Sequence, residues 1–417
     1  MSASFDELER RAPAERETDL FVRLPDFLAA AVQGSPGLGS WLAGVDLRGL
    51  TSRAELAKLP ILRKTALMAL QAEEPPFGGF VDSAQLVGGR IFLSPGPIWE
   101  PQGLAADPAQ AARAFFAAGI RRGDIVHNSF SYHMTPGGFM LDHGARALGC
   151  AVFPAGTGNT EMQVDAAAAL RPRAYAGTPD FLKALLDKAQ EMGKDLSSIR
   201  LGLVSGGALF PSLRNEYASR GINVLQCYAT AEFGVIAYES ATDEGSPNPG
   251  MIVNENLILE IVRPGTGDPV PEGEVGEVVV TSLNPAYPLV RLGTGDLSAV
   301  LPGQSPCGRT GMRIKGWMGR ADQRTKVKGM FVDPKQVADI VARHKDLSRA
   351  RLVVHRDGAR DAMTLHAEPV PGASLDLKAI EASMREITKL GGDVQIVAPG
   401  FLPNDGKVIA DERDYAG

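Results

Sequence analysis

The sequence predicts an α/β fold, in which a large N-terminal α/β domain with a β-barrel-like subdomain precedes a small mobile α+β C-terminal domain. Two observations predict this class. Between about residues 90 and 300, short apolar runs typical of strands alternate with helical runs, which is the pattern of a largely parallel sheet. Beyond residue 320, short strands and helices are mixed, so we place the domains at 1–319 and 320–417.

The individual elements follow from local patterns along the chain. Residues 1–75 are predicted to be helical, because apolar residues recur at helical spacing, and Pro75-Pro76 with Gly78-Gly79 ends this region. Two β-rich segments joined by a Gly/Pro turn predict the β-barrel-like subdomain. The predicted strands are 124–127, 151–154, 174–177, 201–205, 257–262 and 276–282, the predicted helices are 137–148, 163–170 and 179–192, and the C-terminal elements are 334–344, 351–355 and 377–389.

Composition excludes several classes of function. The net charge of -6 offers no basic surplus to neutralise phosphates, so we expect no nucleic-acid partner. Cys150, Cys227 and Cys307 are far apart and lack zinc-site spacing, which favours reduced thiols. The charged segment 1–16 has no apolar signal core, and no apolar run approaches the roughly 18 residues of a membrane span. We therefore expect a cytoplasmic protein without a membrane partner.

The first segment that suggests chemistry is 227–234, Cys-Tyr-Ala-Thr-Ala-Glu-Phe-Gly. A strand-like run at 223–226 leads into a predicted turn that contains Tyr228 and Glu232. A tyrosine ring can stack on a purine, and a carboxylate can hold a Mg²⁺ that bridges phosphate oxygens. Taken alone, such a short pattern more often reflects a core tyrosine and a surface glutamate.

The second segment is 291–297, where glycines flank a Thr-Gly-Asp sequence that we predict to be a turn after an apolar strand. An aspartate fixed in such a turn can accept hydrogen bonds from both ribose hydroxyls, as the acidic residue of dinucleotide sites does. Asp296 is therefore a candidate ribose ligand. A β-turn capped by an aspartate side chain is the structural alternative.

Two further segments could supply positive charge. Segment 315–329 is basic, contains several glycines and lies at the predicted domain boundary, as a hinge between domains would. Segment 402–408 places Lys407 in a Pro/Gly loop, where a cation can stabilise a developing anionic charge. A solvated charged loop and a surface lysine are the structural alternatives.

The order of these four segments resembles that of the adenylate-forming superfamily, and specifically that of the phenylacetate–CoA ligases. The resemblance spans essentially the whole chain. Its most specific part is Gly319-Arg320-x-Asp322 through Lys328-Gly329, followed by Pro334 and Gln336. Further blocks similar to that family are 123–132, 156–163, 177–179, 205–208 and 306–310.

The resemblance implies a two-step reaction. A carboxylic acid attacks the α-phosphate of ATP, and pyrophosphate leaves; the small domain then rotates, and the thiol of coenzyme A displaces AMP. It also implies ATP, Mg²⁺ and coenzyme A as the cofactors, a small-molecule carboxylic acid as the substrate, and a possible homodimer. Two successive reactions at one site require two different closed conformations of the enzyme. Rotation of the small domain provides them.

The same resemblance implies roles for individual residues. The implied nucleotide-binding residues are Ser205, Gly206, Gly207, Ala208, Tyr228, Thr230, Asp296 and Arg320. The implied catalytic residues are Lys407, Glu232 and Arg320, with Glu232 as the Mg²⁺ ligand. The hinge corresponds to Asp322, and the region near the pantetheine of CoA to Lys328 and Gly329. The acyl pocket corresponds to Phe130, Tyr132, His133 and Gly137, whose aromatic character suits an aryl or arylacetic acid.

Two departures from the family pattern leave alternatives open. The family's phosphate loop ends in Lys-Pro, whereas segment 93–101 here reads Leu-Ser-Pro-Gly-Pro-Ile-Trp-Glu-Pro. Its prolines remove backbone donors, and Glu100 would repel pyrophosphate if it pointed inward. Ala229 and Ala231 flank Thr230, so one expected hydroxyl is missing. The chain could be a ligase with a redesigned loop, a slow enzyme or one that uses another donor, an adenylating enzyme with a non-CoA acceptor, or a non-catalytic binder of nucleotide or acyl-CoA.

Overall fold

A computed structural model describes residues 4–242, 245–263, 267–321, 324–358, 360–402 and 408–413, with residues 334, 335 and 338 described by their backbone only. The chain divides into two compact units, the first ending at Trp317 and the second beginning at Met318. Each unit has its own hydrophobic core and is described by itself. Two residues with predicted roles, Asp322 and Lys407, lie outside the described residues.

The helices of the first unit begin with an N-terminal group and continue between the strands of the α/β core. Short 3₁₀ helices at Glu7–Arg10 and Leu47–Gly49 accompany them. In chain order the α-helices are α1 Pro13–Gly34, α2 Pro36–Trp41, α3 Arg53–Leu56, α4 Lys64–Glu73, α5 Ser83–Leu86, α6 Ala112–Ala117, α7 Gly137–Ala147, α8 Thr160–Leu170, α9 Pro179–Glu191 and α10 Pro211–Ser219.

The strands of the first unit fall into a nine-stranded sheet, a four-stranded sheet and a hairpin. They are β1 Leu62–Arg63, β2 Arg90–Ser94, β3 Ile98–Gln102, β4 Ile125–Asn128, β5 Ala151–Pro154, β6 Ala174–Gly177, β7 Leu201–Val204, β8 Asn223–Thr230, β9 Gly234–Tyr238, β10 Met251–Val253, β11 Leu257–Val262, β12 Gly276–Ser282, β13 Leu292–Ser298, β14 Val300–Leu301 and β15 Arg313–Ile314.

The nine-stranded sheet has the order β14-β15-β10-β9-β8-β7-β6-β4-β5. Its β5-β4-β6-β7-β8 part is parallel, whereas the remaining strands pair antiparallel. Helices α7 to α10 connect the parallel strands, as crossover connections must. The α/β class predicted from the alternating pattern is therefore confirmed.

The predicted β-barrel-like subdomain takes the form of a four-stranded sheet in the order β1-β13-β12-β11. Strands β11, β12 and β13 form an antiparallel meander, and the short β1 pairs in parallel with β13. Strand β1 comes from the N-terminal helical region. The pairing therefore joins that region to the strand that contains Thr294-Gly295-Asp296.

Two predicted turns are strand residues in the structure, and the predictions for them were wrong. Tyr228 lies inside β8, and Thr294-Gly295-Asp296 lies inside β13. In both places the pairing register shifts, between Tyr228 and Ala229 in one ladder and between Glu277 and Val279 in the other. Such bulges redirect side chains without ending the strand, so glycine-rich sequences there resemble turns.

The second unit is the predicted α+β arrangement, a four-stranded sheet in the order β20-β19-β18-β21 with helices and a separate hairpin, β16-β17. Helix α11 begins with a capping box between Asp333 and Gln336. The elements are β16 Thr325–Val327, β17 Met330–Val332, α11 Pro334–Arg343, β18 Leu347–Asp357, β19 Arg360–Pro369, α12 Leu377–Thr388, β20 Asp393–Ile396 and β21 Ile409–Asp411.

A buried ion pair in the first unit yields a stability prediction. The Arg291 guanidinium binds both oxygens of Glu260 at 3.0 and 3.1 Å, and the two side chains are 1% and 4% exposed. We expect Arg291→Met to lower the free energy of unfolding by about 3–5 kcal/mol, because it leaves a buried carboxylate without its partner. Urea unfolding followed by tryptophan fluorescence measures this, since Trp41, Trp99 and Trp317 all belong to the first unit.

The matched control is Arg23→Met, which breaks the Arg23–Asp19 pair at 2.8 Å on the surface of α1, where both side chains are well exposed. It should cost no more than about 1 kcal/mol. Equal losses for the two variants would contradict the assigned importance of burial.

Candidate active site

Tyr228 and Asp296 meet in the structure although they are far apart in sequence. The Tyr228 hydroxyl donates to Asp296 Oδ2 at 2.8 Å, and the Trp317 indole N–H donates to Asp296 Oδ1 at 2.9 Å. The Asp296 backbone N–H is also held by the Thr294 hydroxyl at 3.1 Å. The carboxylate is thus fixed in orientation, and because a carboxylate oxygen can accept more than one hydrogen bond, it could also accept from a ribose hydroxyl. These contacts suit the predicted ribose role, which stays a prediction.

Glu232 lies in the turn between β8 and β9, where it is almost fully buried, next to the half-buried Thr230 that ends β8. The Lys64 ammonium lies 2.6 Å from Glu232 Oε1. Burial alone would raise the pKa of Glu232, but the charge and hydrogen bond of Lys64 outweigh burial and lower this pKa below its ordinary value. Glu232 is therefore ionised at neutral pH and bound to a cationic side chain.

Lys64 is a site residue that sequence analysis missed. It is the first residue of α4, directly after β1, which pairs through Leu62 with Leu292 and through Arg63 with Gly293. Because β1 adjoins the strand that contains Asp296, its chain direction delivers Lys64 to Glu232. Nothing in the local sequence marks this lysine; only the long-range strand pairing places it at the site.

The segment that replaces the phosphate loop is the β2–β3 hairpin, in which Ser94 pairs with Ile98 and Phe92 with Glu100. Side chains of Phe92, Ser94, Ile98 and Glu100 are buried on one face. Glu100 is only 1% exposed, and Ser94 donates to its Oε1 at 2.8 Å. Glu100 therefore points into the protein, which was the condition under which we expected it to repel pyrophosphate.

Helix α4 also fixes the hairpin. The Gln71 side chain accepts from the backbone N–H of Trp99 at 2.8 Å and donates to its carbonyl at 2.9 Å. Gln71 lies two helical turns from Lys64, so both residues belong to the same face of α4. One helix face thus places both Lys64 and the backbone next to Glu100.

Glu100 and Glu232 influence each other. Burial, and then the negative charge of Glu232, raise the pKa of Glu100, whereas Ser94 and Lys64 act in the opposite direction without reversing the shift. Burial and the charges of both glutamates also raise the pKa of Tyr287, which accepts a hydrogen bond from Gln71 at 3.3 Å. Both carboxylates therefore lie near the same phenol, in a buried polar cluster.

The donor set around Glu232 fits a Mg²⁺ ion. Glu232 Oε2 and Glu100 Oε2 are both buried and have no hydrogen-bond partner among the described residues. In the described part of the chain, no group of three or more His, Cys, Asp or Glu side chains could hold a metal by itself. Mg²⁺ is commonly bound by one or two carboxylates and completed by water and phosphate oxygens, so this donor set suits it.

The segment 205–208 borders Phe130. Ser205 donates to the carbonyl of Cys227 at 2.9 Å, and Gly206 adopts a left-handed φ of 70°. A Cβ on Gly206 would lie 3.3 Å from the Phe130 ring, and one on Gly137 would lie 3.4 Å from it. The structure thus brings Phe130 next to Gly137 and Gly206. Because the two glycines lack side chains, the Phe130 ring forms the apolar wall at this place.

Tyr132 and His133 differ from Phe130 in their surroundings. The Tyr132 hydroxyl accepts from Asn128 at 2.7 Å and donates to Asp142 at 3.1 Å, so its polar group is already bound within the protein. His133 is exposed. Of these predicted pocket residues, Phe130 has the clearest apolar setting.

The predicted residues of the second unit are described separately. Lys328 and Gly329 form the turn of the β16–β17 hairpin, and both have left-handed φ angles, 49° and 84°. Such a pair is typical of a tight two-residue hairpin turn. The Lys328 backbone N–H donates to Asp361 at 3.2 Å, and the Arg320 guanidinium lies 6.0 Å from the centroid of the Phe331 ring. The roles predicted for Arg320, Lys328 and Gly329 remain predictions.

Known proteins resemble this chain along most of its length. A family model of AMP-binding enzymes matches residues 132–286. The phenylacetate-coenzyme A ligase of Pseudomonas putida is 33% identical over 334 residues, which cover 76% of this chain and 73% of that protein. The phenylacetate-coenzyme A ligase of Aromatoleum evansii is 30% identical over 344 residues, with 80% and 76% covered.

A solved structure also matches. It is that of 2-hydroxyisobutyryl-CoA ligase in complex with 2-HIB-AMP and CoA in the thioesterification state, with a TM-score of 0.79 and 25% identity. The match covers 98% of this chain and 92% of that protein. Separately, none of the helices within the described residues is long and apolar enough to span a bilayer.

The raised pKa of Glu100 yields a prediction about pH. The folded chain holds a proton on Glu100 that the unfolded chain releases near the ordinary carboxyl pKa. The contribution of this proton to the free energy of unfolding is fully present below the pKa that Glu100 has in the unfolded chain. It is lost as the pH rises toward the raised pKa of Glu100 in the folded chain. Glu100→Gln mimics the neutral form, so the stability of wild type relative to Glu100→Gln should fall as the pH rises above the ordinary carboxyl pKa.

Urea unfolding of both proteins in EDTA at several pH values measures this difference. Glu216→Gln, a change at a half-buried surface carboxylate, serves as the control against which the pH trend of Glu100→Gln is compared. A difference between wild type and Glu100→Gln that does not vary with pH would show that Glu100 is ionised in the folded protein.

Proposed function

The chain belongs to the phenylacetate–coenzyme A ligase family, and from that premise we propose that it activates an aromatic or arylacetic acid with ATP and transfers the acyl group to coenzyme A. The observation that supports this most directly is the group formed by Tyr228, Asp296 and Trp317. It places a ring and an oriented carboxylate side by side, as recognition of an adenosine requires. Glu232 and Lys64 add a buried anion and a cation close to the end of β8.

In the first step, the residues of the first unit bind and orient the nucleotide. Tyr228 stacks on the adenine, Asp296 accepts from the ribose hydroxyls, and the 205–208 segment borders both adenine and acid. Glu232 holds Mg²⁺, which neutralises charge on the phosphates when it is bound. These groups favour attack of the acid on the α-phosphate by holding the two reactants together.

The acid lies against Phe130 in this proposal. The ring lies beside Gly137 and Gly206, where an added Cβ would approach it to 3.4 and 3.3 Å, so the missing side chains leave space for a flat group. The Tyr132 hydroxyl is bound to Asn128 and Asp142, so the pocket gains little polarity from it. An apolar aromatic acid therefore suits this wall better than a polar aliphatic one.

The second step uses the second unit. Asp322 is the hinge about which this unit turns, Arg320 assists at the ribose, and Lys328 with Gly329 borders the pantetheine of CoA. Lys407 acts in the first step, where its charge stabilises the forming adenylate. We further propose that the protein is a cytoplasmic homodimer; analytical ultracentrifugation of the purified chain tests the dimer.

The test of the function is exchange of labelled pyrophosphate into ATP in the presence of a panel of aromatic and aliphatic acids. We expect exchange that depends on an arylacetic or aryl acid, followed by CoA thioester formation and AMP release. AMP binding without acid-dependent exchange would instead favour a nucleotide-binding protein without adenylation, which is the candidate favoured by the buried Glu100. Exchange without a thioester would indicate another acceptor.

Lys407→Ala separates the two steps. We expect at least a hundredfold loss of pyrophosphate exchange, and little change in thioester formation from a supplied acyl-adenylate, because this lysine stabilises only the first transition state. The control is Lys378→Ala, a change at an exposed lysine of α12, which should leave both rates unchanged. Equal loss of both steps in Lys407→Ala would contradict its assigned role.

A further inference from the structure

The buried cluster of Lys64, Glu100 and Glu232 contains two acidic side chains and one basic side chain. Glu232 and Glu100 are 5% and 1% exposed, and each retains a buried oxygen without a hydrogen-bond partner among the described residues. The Lys64 ammonium lies 2.6 Å from the other oxygen of Glu232. A buried carboxylate needs a proton, a cation or a set of donors, and within the described part of the chain the donor to Glu100 is the Ser94 hydroxyl at 2.8 Å.

We propose that Glu100 and Glu232 together form a site for a hard divalent cation, Mg²⁺ or Mn²⁺, in which the Lys64 ammonium is the resident cation of the free protein. Water and phosphate oxygens complete the coordination. The proposal rests on the proposed function for the source of those phosphates. It assigns to Glu100 a role as the second protein ligand.

The ammonium shows that the cluster already accepts a cation. Lys64 holds its charge against Glu232, and its side chain is 29% exposed, so it can leave the cluster toward solvent without crossing the core. Its helix need not move, because α4 is fixed by the β1–β13 pairing at one end and by the Gln71–Trp99 hydrogen bonds farther along. Exchange of Lys64 for a metal ion therefore requires only a side-chain rotation.

The second ligand is already in place. The β2–β3 ladder, the Ser94 hydroxyl and the Gln71 contacts to Trp99 fix Glu100 on the buried face of the hairpin. Gln71 contacts both the Tyr287 hydroxyl and the backbone next to Glu100. The negative charge of Glu232 acts on Glu100, and the charges of both glutamates act on Tyr287, in keeping with a single buried cluster. Preorganised ligands of this kind favour metal binding, because little ordering is needed.

The proposed divalent cation balances the charge at the phosphate end of the site. A lysine in the phosphate loop of an ATP-using enzyme contributes one positive charge, whereas Glu100 contributes a negative charge when ionised. A divalent ion between Glu100 and Glu232 compensates for both, and it releases the Lys64 ammonium to approach the phosphates. The altered hairpin is then compatible with ATP, because a metal ion supplies the charge that its own side chains lack.

The test is Mn²⁺ binding to the full-length protein without nucleotide or acid, followed by electron paramagnetic resonance of free Mn²⁺. We expect Lys64→Met to bind one Mn²⁺ per chain at least tenfold more tightly than wild type, because the competing ammonium is gone. Adding Glu100→Gln to Lys64→Met should weaken this binding at least tenfold. Adding Glu239→Gln instead, a change at another buried glutamate, one paired with Arg214, should leave it unchanged.

A second measurement does not depend on the folding of Lys64→Met. Glu100→Gln alone should weaken binding of Mn²⁺·ATP several-fold and leave binding of AMP in EDTA unchanged. Tighter binding of Mn²⁺·ATP by Glu100→Gln would show that Glu100 only repels phosphates, and equal Mn²⁺ affinity of Lys64→Met with and without Glu100→Gln would show that Glu100 is no ligand. Either result overturns the proposal. Because the Mn²⁺ titration uses no acid or ATP turnover, its outcome is separate from that of the exchange assay.

Discussion

The arrangement of the site depends on one long-range interaction, the parallel pairing of β1 with β13. This pairing sets Leu62 and Arg63 beside Leu292 and Gly293, and α4 begins at the next residue, Lys64. Without it the buried Glu232 would lose its counter-charge, and an unpaired buried carboxylate is expensive enough to disturb the turn that contains it. The N-terminal helical region is thus part of the site, although its sequence contains none of the recognised motifs.

Helix α4 supplies contacts to the surroundings of both buried glutamates, Glu232 and Glu100. Lys64 at its first turn lowers the pKa of Glu232, while Gln71 two turns later satisfies the backbone of Trp99 next to Glu100. The pKa of Glu100 stays raised despite the nearby lysine, because burial and Glu232 act together. In the free protein Glu100 therefore keeps its proton to higher pH than Glu232 does. The charge that the cluster presents to a ligand depends on whether a cation replaces that proton.

Local sequence patterns predicted the core elements well. The strands at 151–154, 174–177, 257–262 and 276–282 have the predicted bounds, and helix α8 begins at Thr160, earlier than predicted. Tyr228, Glu232 and Asp296 became candidates because short motifs mark them. The strand conformations of Tyr228 and Asp296 were not predicted, because a bulge is defined by the partner strand as well as by its own sequence. Lys64 and the burial of Glu100 were also beyond reach, because both follow from contacts between segments distant in sequence.

The two ends of the candidate nucleotide site are held by different parts of the fold, and this explains how one end could change alone. Asp296 is oriented by the bulge in β13, where the Thr294 hydroxyl donates to the carbonyl of Val278 at 2.9 Å, and by Tyr228 and Trp317. None of these contacts involves the β2–β3 hairpin. The hairpin in turn is fixed by α4 through Gln71. A residue such as Glu100 can therefore alter the charge at the phosphate end while these hydrogen bonds at the ribose end stay in place. The Lys64–Glu232 ion pair links the two ends.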